Sequence, residues 1–93
     1  MRIATLEADF RIPGSTSLKT KRKVVLGLRD RIRARFPVAV AETGNQEFHA
    51  RGMLGVAAVG SEGAVVERAL DGIQRLIESD PRILIVEIVR DSY

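Results

Sequence analysis

The sequence has no cysteine and a single histidine, His49, among 93 residues. The first absence removes disulfides, thiolate-held zinc and a cysteine nucleophile together. The second argues against a metal site built from the histidines of one chain. No apolar stretch approaches the roughly 20 residues needed to span a bilayer, and the longest, Met53 to Val59, is strand-sized. The spacing Gly-x-x-x-x-Gly-Lys-Ser/Thr is also missing, which excludes a P-loop. Glu7 and Asp9 interrupt the apolar residues near Met1, so no signal peptide is read there and a cytoplasmic location is expected. No cofactor, metal ion or catalytic residue is expected from what remains.

What is present is ordinary for a globular chain. Hydrophobic residues make up 45% and charged residues 29%, which argues against disorder and low complexity. The length fits one domain, residues 1–93. Ala4, Leu6, Ala8, Phe10 and Ile12 alternate with Thr5, Glu7, Asp9 and Arg11, the period of a half-buried strand. Pro13-Gly14 ends it. Ser15-Thr16-Ser17 offers caps for a helix from Leu18 to Phe36, which Pro37 stops. Val38–Thr43 and Met53–Val59 read as strands with a polar loop between them. A second helix, capped by Ser61, carries Val66, Ala69, Leu70, Ile73, Leu76 and Ile77 on one stripe. Asp80-Pro81 closes that helix, and Ile83–Val89 is the last strand.

The order strand, helix, strand, strand, helix, strand predicts an α+β, ferredoxin-like βαββαβ sandwich. Both helices should cover one face of a four-stranded antiparallel sheet, with the first and third strands central. The expected core is Leu6, Ala8, Phe10, Val25, Leu28, Ile32, Leu54, Val56, Leu70, Ile73, Ile77, Val86 and Ile88. The uncovered face should carry Ile3, Thr5, Glu7, Met53, Gly55, Ala57, Val59, Ile85, Glu87 and Val89. Such an apolar patch is unusual on a monomer, so a homodimer packed through the sheet is expected, with docking of another protein as the alternative.

Charge is unevenly placed. Between Leu18 and Phe36, Lys19, Lys21, Arg22, Lys23, Arg29, Arg31, Arg33 and Arg35 stand against Asp30 alone. The rest of the chain holds seven arginines and eleven acids. At about 100° per residue, Arg29, Arg22, Arg33, Lys19 and Lys23 line one flank of the helix. Lys21 falls within the apolar arc, from which it should reach outward. Cations three and four residues apart repel one another, and a polyanion would relieve that repulsion. Lys19, Arg22, Lys23, Arg29 and Arg33 are therefore the candidate nucleic-acid contacts. The loop Gly14, Ser15, Thr16, Ser17, opening onto a helix N-terminus, is a candidate anion site. The central strands present no aromatic ring on the open face, so stacking of bases across the sheet is not expected. Glu42 and Arg51 are placed to pair across the hairpin, and His49 reads as an exposed loop residue.

Ile12-Pro13-Gly14, Ser17-Leu18-Lys19 with Lys21-Arg22, Ala41-Glu42, and Arg51 with Leu54-Gly55-Val56 together resemble the YlxP-like bacterial proteins, domain of unknown function 503, from Met1 to about Arg90. The resemblance implies a ferredoxin-like fold and a gene neighbourhood of translation and ribosome maturation. The expectation is a non-enzymatic protein that contacts RNA or the ribosome through its first helix. The alternatives are a small phosphate-ligand enzyme or sensor of acylphosphatase type, with Gly14–Ser17 cradling phosphate and Asn45 orienting water, and a protein-binding adaptor.

Overall fold

The computed structural model describes all 93 residues. Six elements follow in chain order: β1 (Arg2–Arg11), α1 (Leu18–Arg35), β2 (Ala39–Gly44), β3 (Arg51–Gly60), α2 (Gly63–Glu78) and β4 (Leu84–Ser92). The strands form one antiparallel sheet in the order β2-β3-β1-β4. This is the ferredoxin-like βαββαβ arrangement. α1 packs against β2 and β3, and α2 against β1 and β3.

The alternation in β1 does what its period requires. Ala4, Leu6, Ala8 and Phe10 are all buried toward the helices. Opposite them on β3 stand Ala58, Val56, Leu54 and Gly52. Gly52 has to be glycine: a Cβ there would lie 2.6 Å from the Phe10 ring. The helices close the layer with Val25, Leu28 and Ile32 from α1 and Leu70, Ile73 and Ile77 from α2. Each large side chain buried in this way is worth about 1.5–3 kcal/mol. Phe36, at the end of α1, seats its ring where Gly72 of α2 leaves room, since a Cβ at Gly72 would fall 2.8 Å from Phe36 Cε1.

Two sequence expectations fail here for local reasons. Val86, placed in the core by alternation, is 49% exposed. The β1–β4 register runs Asp9 opposite Glu87 and then Phe10 opposite Ile85, so Val86 is the extra residue of a bulge. The same shift takes Ile85 off the open face and sets it opposite Phe10. Ser61 does not cap α2 either. Glu62 occupies the cap position, and its side chain makes no capping hydrogen bond. Ile88 remains where expected, partly buried against the core.

Candidate nucleic-acid interface

α1 begins cleanly because Ser17 accepts the Thr20 backbone N–H at 3.1 Å. Val24, Val25, Leu28 and Ile32 turn to the sheet. That orientation leaves Lys19, Arg22, Lys23 and Arg33 exposed. None of these four takes part in an ion pair. Arg29 is half-buried and pairs at 3.0 Å with Asp30, its own neighbour. Arg33 donates to the Val40 carbonyl of edge strand β2 at 3.2 Å. All five candidate contacts therefore share one flank, three of them with no hydrogen-bonded partner in the fold. Leu26, 42% exposed, is the apolar member of the same surface.

Outside α1, Asp9, Glu67, Asp71 and Asp80 are held by arginines, while Glu47, Glu62, Glu87 and Asp91 take part in no ion pair. Asp80 is buried, and its carboxylate takes two hydrogen bonds from the Arg82 guanidinium, with Arg31 at 3.7 Å. The Arg82 hydrogen bond holds the Asp80 carboxyl below its ordinary range, outweighing burial, which acts the other way. Arg90 joins Glu67 and Asp71, each at 2.7 Å. Partial burial works against the Arg90 charge, but these two carboxylates more than offset it and raise its pKa.

Lys21 does not reach outward. It is 2% exposed, donates to the Asn45 carbonyl and sits 3.5 Å from Glu42. A lysine in the apolar arc is stable there because the β2–β3 hairpin supplies both a carbonyl and a carboxylate. Glu42 consequently does not pair with Arg51. It lies opposite Leu54 on the helix-covered side, whereas Arg51 lies opposite Arg11 on the open side and binds Asp9 at 2.9 Å.

The loop from Gly14 to Ser17 is largely engaged internally. Ser15 is buried, and its hydroxyl donates to the carbonyl of His49 and approaches that of Ser17 at 3.2 Å. Ser17 is the cap, so Thr16 alone keeps a hydroxyl without an internal partner. The fold does bring the 45–50 loop against this one, through Ser15 and through Ile12 N–H to the Ala50 carbonyl at 2.8 Å. The Asn45 amide, however, is committed to Asp9 at 3.0 Å and approaches the Gly52 carbonyl at 3.4 Å.

Phe48 is the residue that sequence reasoning passed over. It stands in the polar loop beside exposed His49 and is itself 58% exposed. An isolated aromatic between two strands was the available signal. On the open sheet face, a shallow depression of about 430 Å³ lies among Thr5, Glu7, Ala41, Gly55 and Ala57. Along the β4 edge Leu84, Val86 and Val89 are exposed. No helix is long and apolar enough to cross a membrane.

Residues 3–90 match the family described as "Protein of unknown function (DUF503)". The chain is 33% identical over 81 residues to "Uncharacterized protein YlxP" of Bacillus subtilis (strain 168), an alignment covering 87% of this chain and 88% of that protein. Among solved structures it is similar to the de novo designed protein Foldit4, with a TM-score of 0.50 and 16% identity, over 98% of this chain and 96% of that one. The last likeness concerns the fold alone.

Proposed function

The chain belongs to the DUF503 family of proteins of unknown function, and we propose that this member is a non-enzymatic protein that contacts RNA, alone or on the ribosome, through the basic flank of α1. One observation carries the reading. Lys19, Arg22, Lys23 and Arg33 stand together on one flank of α1, exposed and with no carboxylate, whereas the other cations without an ion pair, Arg2, Arg11, Arg35, Arg68 and Arg75, are spread over β1, α2 and the opposite flank of α1. Like charges stacked along one helix face destabilise it unless something anionic arrives. A strand of phosphates spaced along a helix of about 27 Å meets that need. The contacts are to phosphate, so they give position and affinity rather than base readout.

Binding of a structured RNA by the purified protein, followed by fluorescence anisotropy across a salt series, tests this. Affinity should fall by roughly 0.7–0.9 log unit per log unit of salt for every phosphate neutralised. The triple variant Arg22→Glu, Lys23→Glu, Arg29→Glu should lose about 100-fold in affinity and show a shallower salt slope. A triple variant that binds as the wild type does, with the slope unchanged, rejects the reading.

The exposed β4 edge supports a second element of the proposal, pairing of two copies through the sheet. An uncovered apolar edge strand is a liability unless another chain covers it. Light scattering over a concentration series should give twice the chain mass, and Val89→Asp should return it to that of one chain. A chain that stays monomeric throughout would leave that surface to a different protein, the adaptor alternative.

A further inference from the structure

The 45–50 loop is unusually well fixed for a hairpin end. Asn45 adopts φ 58°, a left-handed conformation that asparagine tolerates. Its carbonyl accepts the Phe48 N–H at 3.1 Å and also the Lys21 ammonium. Its amide donates to Asp9. The two carbonyls that follow Phe48, of His49 and Ala50, are taken by Ser15 and by the Ile12 N–H. The backbone around Phe48 is thus tied to α1, to β1 and to the loop between them. Phe48 itself is meanwhile more than half exposed. One carbonyl links it to Lys21, and the residue after Lys21 is Arg22, on the unpaired basic flank.

We infer that Phe48 is a stacking platform for an unpaired base, so that the preferred ligand is single-stranded or looped RNA rather than duplex. The inference rests on the RNA reading of α1 and adds the ligand's class to it. A planar ring on an immobilised backbone offers a face to any base without first being ordered. The Lys21 and Ser15 contacts set the hairpin end beside the start of α1, so a phosphate backbone held by Lys19, Arg22 and Lys23 is the one that would bring a base to Phe48. Bases within a duplex are already stacked and cannot be shared with a side chain.

Phe48 is exposed and takes no part in the core, so Phe48→Ala should fold normally, which circular dichroism checks. Anisotropy titrations would use a labelled 12-nucleotide single strand of mixed sequence and its duplex at fixed salt. Phe48→Ala should weaken single-strand binding by about five- to a hundredfold. It should leave duplex binding and the salt slope as they are, because no charge is removed. The sequence contains no tryptophan, so Phe48→Trp introduces one reporter. Its emission should be quenched on saturation with the single strand, with affinity retained. Unchanged single-strand affinity in Phe48→Ala, or unquenched emission in Phe48→Trp, overturns the stacking role while leaving the basic flank standing. If the single strand binds the wild type and the α1 triple-glutamate variant alike, the RNA reading of that flank falls and the assignment to Phe48 falls with it.

Discussion

The two helices are equals toward the sheet and opposites toward solvent. α1 buries Val25, Leu28 and Ile32, and α2 buries Leu70, Ile73 and Ile77. On its outer surface α2 carries two arginines against three acids, and two of those acids are gripped by Arg90 of β4. α1 carries eight cations against Asp30. Of these, Lys21 is buried against Glu42, Arg31 reaches Asp80 from an exposed position and Arg29 takes Asp30, while the rest have no carboxylate. Both helices perform the same structural task, so the fold does not require the excess charge of α1. That separation of roles is what makes the charge informative.

The largest effects belong to the core. Leu28→Ala in α1 and Leu70→Ala in α2 should each cost about 2–5 kcal/mol in urea unfolding, because both side chains are fully buried. A large disparity between them would break the equivalence. Asp80→Asn should cost less, about 1–3 kcal/mol, since Arg82 keeps access to water after losing its partner. Because the folded-state pKa of Asp80 is depressed, its contribution is complete well above the ordinary value of 3.8 and disappears as pH falls through the lower folded value. Wild type and variant should therefore differ at pH 7 and converge in strong acid. Arg90→Gln should cost about 0.5–1 kcal/mol, as its two carboxylates are half exposed. The smallest effect belongs to α1 itself. Reversing Arg22, Lys23 and Arg29 to glutamate should leave stability within about 0.5 kcal/mol of wild type. A marked loss there would mean that the cations serve the fold after all.

Periodicity made most of the architecture readable. The alternation of β1, the Pro37 stop and the α2 stripe each reflect a single local rule, and the structure obeys them. Failures occurred wherever a distant partner decided. Lys21 has the position of a core residue and the chemistry of a surface one; only the Asn45 carbonyl and Glu42, more than twenty residues on, resolve the conflict. Val86 follows the right pattern in a strand whose register shifts by one residue. Ser15 sits where caps and anion sites occur, yet its hydroxyl is claimed by a carbonyl 34 residues away. At the candidate interface, the basic flank was legible from helical spacing. The rigid setting of Phe48 was not, because it depends on four hydrogen bonds from three separate segments.

The position of β1 has a consequence for how the molecule comes into being. It lies between β3 and β4, so the first strand to be synthesised waits for the last one before both its edges are satisfied. Until then the nascent chain exposes half-paired backbone beside Leu6 and Phe10. Such long-range closure is slow, and until β4 pairs, the free edge of β1 is a template for wrong strand pairing.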